Sequence, residues 1–228
     1  MSKKKFLRVL LEAVTVIVAY IYIVPVLLVL FNTLKPLGDI LKSPFSLPKT
    51  LYLDNINYVL GNMKYFQVLC NTVKISVAVV LLTILVSSMA GWMLTRDNRP
   101  HSRLITVLLM ASLMVPFQSF MIPLNNLIYD LKLGDSMLGY IWVQTTLYAP
   151  MGVFMYTGFV KNIPYSLEES ARLDGASSIQ VFFRIAFPLM KPITASIAVL
   201  YSLWIWNDYL TASLMLKSTS NKTITIEI

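Results

Sequence analysis

The sequence predicts an all-α protein, a bundle of helices that crosses a lipid bilayer several times. Its residues are 57% hydrophobic and only 13% charged, against about 25% charged in an ordinary soluble domain. The apolar residues also gather into long blocks, and about 20 helical residues are enough to cross a hydrocarbon core of roughly 30 Å. In lipid the backbone must satisfy its own hydrogen bonds, which blocks of this length do as helices. The alternation typical of barrel strands is not visible.

Five apolar blocks are long enough to span the membrane. They are residues 14–31, 75–94, 104–124, 137–160 and 193–216. The first block follows a lysine-rich start, but it exceeds the apolar run of a secretory signal and no small-residue cleavage motif closes it. We therefore interpret it as a retained first helix. Proline predicts kinks within the helices at Pro25, Pro116, Pro123 and Pro150.

The distribution of lysine and arginine predicts the orientation. These residues are more frequent in the N-terminal tail, the loop 95–103 and the segment 161–192 than in the intervening loops. Positively charged loops are typical of the cytoplasmic side. We therefore expect the N-terminus, that loop and that segment in the cytoplasm. The formal net charge of +8 is explained by this topology, so no nucleic-acid partner is expected.

Several kinds of chemistry have little support in the sequence. Cys70 is the only cysteine, so no intrachain disulfide and no cysteine metal cluster can form. His101 is the only histidine, and with no acidic partner expected near it a histidine-based hydrolase is a weak interpretation. The glycines form no phosphate-binding loop, so this chain should not hydrolyse ATP itself. We expect no enzyme activity and no bound cofactor or metal, although a membrane-embedded enzyme remains a rival class.

The segment 161–192 carries the local signals of two short helices. Ser166 and Glu169 have the spacing of a capping box, which predicts that a helix begins there, and Glu168 and Arg172 have the spacing of an i,i+4 ion pair. Gly175 is a candidate C-cap for this helix.

The second half of the segment continues the same pattern. Ser177 or Ser178 is expected to open a second helix, and Pro188 and Pro192 mark its end. Leu167, Ala171 and Gly175 form a stripe of shrinking side chains on one face of the first helix. The segment is therefore either a solvated connector or a surface for a closely docked partner.

A sequence motif within this segment favours the partner. Glu169, Ser170 and Ala171 are followed three residues later by Gly175, and after nine more by Ile185 and Pro188. This pattern resembles the E-A-A-x3-G-x9-I-x-L-P signature of permease subunits of binding-protein-dependent ABC importers, with Ser170 in place of alanine and Phe187 in place of leucine. The resemblance implies contact with an ATPase subunit. The candidate coupling residues are Glu168, Glu169, Ser170, Ala171, Asp174, Gly175, Ile185 and Pro188.

Further segments resemble the carbohydrate-uptake branch, and specifically its second, maltose-type permease subunit. They are residues 114–124, residues 204–210 and the pair Asn71 and Thr72. The resemblance implies a type I ABC importer transmembrane domain in the cell membrane of a prokaryote, with residues 1–66 as N-terminal tail, first span and outer loop and residues 67–228 as permease core. The implied partners are a second, dissimilar permease subunit, two ATPase subunits that use ATP, and an extracytoplasmic solute-binding protein. Since that family has six spans, a sixth helix is expected to follow the five.

Polar residues near the fifth block are candidates for a solute path. Asp208 is placed by the sequence deep in that block, where an ionisable group is costly and therefore a functional candidate. It could be a proton site in a secondary transporter, or a structural or path residue, which the resemblance favours. The candidate path residues are Gln118, Asn125, Trp206, Asn207 and Asp208. The implied solute is a sugar or oligosaccharide, and glycerol phosphate or another small polar solute is the alternative.

Overall fold

The computed structural model describes residues 3–227, apart from the side chains of Lys3 and Phe6, and this part of the chain is helical with no strand. The all-α prediction is thereby confirmed. Met1 and Ser2, which belong to the predicted tail, lie outside the described residues. The chain divides into two compact units, one ending at Tyr65 and the other beginning at Phe66.

The first unit holds three helices. They are α1 (Lys3–Thr33), α2 (Leu37–Lys42) and α3 (Asp54–Asn62). The first predicted span lies inside α1, and along that span the helix is apolar around its whole circumference, as a lipid-facing helix should be. The turn after α1 is built on Lys35, whose buried ammonium group donates to oxygens of Asn32, Ser43, Pro44 and Ser46.

The second unit contains the remaining helices. They are α4 (Tyr65–Arg96), α5 (Pro100–Ser112), α6 (Phe117–Asp130), α7 (Met137–Val160), α8 (Tyr165–Leu173), α9 (Ser178–Val181), α10 (Phe187–Leu189), α11 (Lys191–Trp206), α12 (Leu210–Met215) and α13 (Ile224–Glu227), with a π-helical turn at Phe182–Ala186 between α9 and α10. The second predicted span lies inside α4, and the fourth coincides with α7.

Two predicted spans were wrong as continuous helices. The block 104–124 is divided into α5 and α6, which are bent by 104°. Pro116 explains the break, because proline disfavours a helical conformation at the residue before it and cannot donate a helical hydrogen bond. The block 193–216 ends as a helix at Trp206 and resumes as the short α12.

The described residues contain two to four candidate membrane spans by helix length and composition. Two helices, Leu7–Thr33 and Tyr65–Arg96, are long and apolar enough to cross a membrane alone. Up to four spans result if each bent pair, α5 with α6 and Ser178–Leu189 with α11, is one span. The 24-residue α7 has the length of a span but is not in this set, since polar residues such as Gln144, Thr145 and Thr146 interrupt its middle.

Helices α4, α7 and α11 meet in a core of small residues and buried tyrosines. A Cβ atom added at Gly91 would lie 2.6 Å from Tyr156 Cβ, so α4 and α7 approach closely there. Tyr156 shares a hydrogen bond of 2.9 Å with Thr194, and the Tyr201 hydroxyl donates to the Tyr148 carbonyl at 2.9 Å, which ties α7 to α11. Small residues and interhelical hydrogen bonds are the usual basis of helix packing in membranes.

Candidate functional site

Helix α8 begins two residues earlier than the sequence predicted, and without the predicted cap. Its N-cap is Pro164, and no side chain caps the helix. The predicted capping box of Ser166 and Glu169 was therefore wrong. Proline lacks a backbone N–H, which would have no intrahelical acceptor at a helix start, so proline is compatible with a start at this position without a serine cap.

The turn after α8 follows the sequence prediction closely. Gly175 has a φ of +87°, in the left-handed region that favours glycine. The Gly175 amide donates to the Arg172 carbonyl at 3.0 Å and the Ala176 amide to the Ala171 carbonyl at 2.9 Å, the two bonds of a Schellman motif. Ser177 then opens α9 with a capping box completed by Gln180.

The second arm of the segment is a helix with a π-turn and a sharp end. The amide of Phe187 donates to the carbonyl of Phe182, so one residue more than usual fits into this turn. Pro188 lacks the amide that an α-helix would need for the Arg184 carbonyl, and a wider turn relieves that conflict. Ile185, half-buried, lies within the π-turn. Beyond Met190 the chain bends by 75° into α11.

Glu168 is directed into this chain. Its side chain is 0% exposed; Arg96 donates to one carboxylate oxygen at 2.7 and 2.9 Å, and Trp92 donates to the other at 3.1 Å. The predicted ion pair with Arg172 was therefore wrong. Both carboxylate oxygens are engaged inside the bundle, so the Glu168 side chain is not exposed on the outer surface of the segment.

Four of the seven other predicted coupling residues lie on the outer surface of the segment. Glu169, Ser170, Asp174 and Gly175 are exposed, and Ala171 is half-buried. Three apolar side chains of the same segment are also exposed, and Leu173 is the most exposed of them at 84%. They are Leu167, Leu173 and Ile179. Exposed apolar groups beside small residues are typical of a docking surface.

The loop 95–103 lies at the same end of the bundle as this segment. Arg96 donates to the Ile163 carbonyl at 2.9 Å, so the two regions that the sequence predicted on one side of the membrane are in contact.

In the loop, His101 lies 3.3 Å from Asp97, and the expectation that it has no acidic partner was wrong. A hydrogen bond from Ser102, assisted by the Arg99 amide, holds the pKa of Asp97 below its usual value. Within residues 3–227 no group of three or more His, Cys, Asp or Glu side chains is placed to hold a metal ion.

A polar cluster surrounds Asp208 at the other end of α11. Asp208 lies in the break between α11 and α12, not deep in a continuous span as predicted. One of its carboxylate oxygens accepts hydrogen bonds from the Tyr140 hydroxyl and the Gln144 amide, and the other accepts from the Thr211 amide. A carboxylate with three donors is compensated for its partial burial.

The cluster forms one wall of a cavity between α5, α6, α7 and the α11–α12 break. The cavity has a volume of about 290 Å³. Its lining residues are Ser112, Leu113, Val115, Phe117, Phe120, Gln144, Leu147, Tyr148, Asp208 and Thr211. A second cavity of about 760 Å³ shares five of these lining residues, Ser112, Leu113, Val115, Phe120 and Leu147. It is also lined by Thr145, whose hydroxyl oxygen is buried and has no hydrogen-bond partner within the described part of the chain.

Of the predicted path residues, only Asp208 lines this cavity. Asn125 lies beside a space of about 10 Å³, Gln118 is exposed on α6, and Asn207 uses its side chain to bond the Leu203 carbonyl at 2.8 Å. Trp206 is partly exposed and is not among the lining residues.

The sequence interpretation missed three α7 residues at this site, two that bond Asp208 and one that lines the cavity. Tyr140, Gln144 and Tyr148 lie on one face at intervals of four residues, so the helical period was the signal that could have revealed them.

The backbone of Asp208 is supported by the segment that follows α12. Thr225 donates to the Asp208 carbonyl at 3.0 Å. That segment is in turn held by α4, where the Asn71 side chain donates to the Ser220 and Lys222 carbonyls at 2.8 and 3.0 Å and Thr72 accepts from the Ile224 amide at 2.9 Å. Asn71 and Thr72 thus have a structural role at this end of the bundle.

The short helical pair at one end of the membrane bundle and the polar cavity within it lie in the part of the chain that matches a known family. The chain belongs to the binding-protein-dependent transport system inner membrane components, whose family model covers residues 83–227. That region includes both the segment 161–192 and the cavity. The resemblance to ABC importer permeases is confirmed, and the protein is a multi-pass component of the cell membrane.

Individual relatives align along almost the whole chain. A probable starch degradation products transport system permease protein, AmyC of Thermoanaerobacterium thermosulfurigenes, is 32% identical over 100% of this chain and 83% of its own length. The melibiose/raffinose/stachyose import permease protein MelC of Bacillus subtilis is 31% identical over 99% of this chain and 81% of its own. The arabinooligosaccharides transport system permease protein AraQ of the same species is 31% identical over 96% and 79%. These relatives are carbohydrate permeases, as the resemblance predicted, but they do not distinguish the two permease subunits.

Proposed function

We propose that this chain is a permease subunit of an ABC importer that takes up a sugar or oligosaccharide, delivered by an extracytoplasmic binding protein and driven by ATP hydrolysis in partner subunits. The observation that carries the proposal is the α8–Gly175–α9 segment, which presents small and apolar side chains outward at one end of the bundle. A solvated connector would not need an ordered helical pair with an exposed leucine at its tip. The curated relatives named above import oligosaccharides, which supports the solute class.

The segment has a specific role in this proposal. Glu169 contacts a basic group of an ATPase subunit, and Ala171 and Gly175 allow that subunit to approach closely. Pro188 and the bend beyond it join the segment to α11, so a displacement at the ATPase is passed to the bundle. The N-terminus and this segment face the cytoplasm, because both are rich in lysine and arginine. A second permease subunit and a second ATPase subunit complete the assembly.

The cavity beside Asp208 is proposed as part of the solute path. Its polar groups are a carboxylate, an amide, a tyrosine and hydroxyls, set among Phe117 and Phe120, and such a wall suits the hydroxyls and apolar faces of a sugar. No lysine or arginine lines either cavity within the described residues, so a phosphate group would meet Asp208 without a compensating cation. This charge distribution favours a neutral sugar over glycerol phosphate.

In the proton-coupled alternative, the carboxylate of Asp208 would carry the proton that drives transport. A proton relay requires a carboxylate that binds and releases a proton in each cycle. Here three donors from α7 and α12 hold it, which fits a fixed structural or path residue better.

The test is uptake by the complete complex in liposomes. We expect entry of an oligosaccharide such as raffinose to require ATP inside, the binding protein outside and both permeases, and to persist when a protonophore abolishes the proton gradient. Uptake that survives removal of ATP and is abolished by the protonophore would establish the secondary transporter instead.

A matched pair of variants tests the path. Gln144→Leu should lower uptake about 5-fold or more without preventing assembly, since one lost hydrogen-bonding group at a polar site costs on the order of 1–3 kcal/mol. Asn126→Leu, the same kind of change at an exposed position on α6, should leave uptake unchanged. If the two variants take up solute equally well, the cavity is not part of the solute path, but the importer assignment still holds.

A further inference from the structure

One buried ion pair joins the start of α8 to the C-terminal end of α4, the end that the sequence predicts to lie in the cytoplasm. Arg96, the last residue of α4, uses both its Nε and Nη2 atoms on the same oxygen of Glu168. Trp92, one turn earlier on α4, donates its indole N–H to the other oxygen. The Glu168 side chain is fully buried and that of Arg96 is 14% exposed, so the pair is screened little by solvent.

Arg96 also holds the chain that leads into α8. It donates to the Ile163 carbonyl at 2.9 Å, and its guanidinium lies 5.5 Å from the centre of the Tyr165 ring. Contacts on both sides of Pro164 therefore converge on one side chain. Because arginine is planar and presents several donors in a fixed arrangement, these contacts define an orientation as well as a distance.

The same turn of α4 reaches the second arm of the segment. The ring of Trp92 lies 5.4 Å from that of Phe182, at the start of the π-turn. Trp92 therefore contacts α8 through Glu168 and the second arm through Phe182. In contrast, Glu169 and Gly175 are exposed on the outer surface of the segment.

We infer that Glu168 is a positioning residue that fixes the coupling segment to α4 through Arg96 and Trp92, so that α4 moves together with the segment. The inference rests on the proposed function. It assigns to Glu168 a role inside this chain, whereas Glu169 next to it faces the ATPase. Adjacent carboxylates on a helix point about 100° apart, which lets one face inward and the other outward.

This contact joins two parts of the chain that are far apart in sequence, so it can transmit a movement that the backbone connection does not. Pro188 and α11 connect the segment to the bundle through the continuous backbone. Arg96 connects it to a helix that is 72 positions away from Glu168 in sequence. If this pair is loosened, the segment can follow the ATPase through its backbone connection while α4 lags behind.

The experiment uses the complete complex with its binding protein. Glu168→Gln keeps the shape of the side chain and the acceptor for Trp92 but removes the charge that Arg96 binds. We expect complexes that assemble and retain ATPase activity, with the number of solute molecules imported per ATP reduced about 5-fold or more, the range of ordinary coupling energies. Glu12→Gln, the same change at an exposed pair on α1, should leave this ratio unchanged.

A second variant separates positioning from folding. Arg96→Met combined with Glu168→Met removes both charges, so no buried charge is left unpaired, and such replacements often preserve stability. We expect this double variant to assemble and to remain uncoupled. Coupling at the parental ratio in either variant overturns the inference, and so does failure of both to assemble, because the pair would then serve folding alone.

Measurements on the parental complex show whether a negative result counts against the role of Glu168 or against the proposed function. If the parent shows no ATP-dependent uptake, the importer proposal itself fails. If the parent couples normally and the variants do too, only the role of Glu168 is lost.

Discussion

Gly175 offers a sharp test of why the coupling segment has its shape. Its φ of +87° lies where residues other than glycine are strained, and a Cβ atom added there would meet nothing within 4 Å. The cost of a substitution in this chain is therefore conformational. A left-handed backbone costs an L-residue about 1–2 kcal/mol, asparagine tolerates it best, and a β-branched residue tolerates it worst.

These costs predict an order among three variants. Gly175→Asn should resemble the parent, Gly175→Ala should lose about 1 kcal/mol from the turn, and Gly175→Val should lose more and open the two Schellman bonds. We expect Gly175→Val to assemble in the membrane but to hydrolyse ATP without importing solute. The assay is uptake per ATP in liposomes, with thermal unfolding of the detergent-purified complex measured alongside.

A second glycine provides the control. Gly158 on α7 is also exposed, and an added Cβ would meet nothing within 4 Å, but its backbone is helical. Gly158→Val should leave coupling unchanged. If Gly175→Asn is as defective as Gly175→Val, the conformational reasoning is refuted, and close approach of a partner is the reason for the glycine. If Gly175→Val couples like the parent, the segment is not the coupling element.

Two further predictions concern packing and topology. Gly152→Ala should lower the thermal stability of the complex, because the new methyl group would overlap the Ser87 hydroxyl at the α4–α7 contact, and overpacking of this kind costs about 1–3 kcal/mol. Gly158→Ala, with open space around it, is the matched control. Ser178→Cys, on a background in which the exposed Cys70 is replaced, should react with an impermeant thiol reagent only after the cytoplasmic side is opened; labelling in intact cells would contradict both the topology and the coupling role.

The local features of the coupling segment were predictable because they depend on residues within one or two turns. Gly175 needs only its own lack of a Cβ atom, and the capping box of Ser177 needs only Gln180 three residues later. The capping box expected at Ser166 had the right spacing, but the N-cap is Pro164, two residues earlier, so Ser166 lies inside the first turn of the helix. Spacing alone does not decide between two competing starts.

The partner of Glu168 could not be read from the sequence. Arg172 is one helical turn away, and a local ion pair was the natural expectation. Whether the carboxylate points outward to Arg172 or inward to Arg96 depends on which face of α8 packs against α4. That face is set by Trp92 and Phe182, which lie far apart in sequence. The break at Pro116 is similar, because proline predicts a change of direction but not an angle of 104°.

The sequence predicted a continuous span at Asp208 because the surrounding block is apolar on average, although Asn207 and Asp208 carry a local signal of a helix break. Asn207 bonds the Leu203 carbonyl with its side chain, and Asp208 accepts from the Thr211 amide, so both residues compete with helical hydrogen bonds. Two such residues in succession predict a helix break more strongly than they predict a charge inside a helix. In a membrane protein, irregular backbone is tolerated where it is buried in protein or lines a cavity. The break therefore explains two observations together: why a carboxylate is tolerated at this depth in the sequence block, and why it lies beside the cavity proposed for the solute.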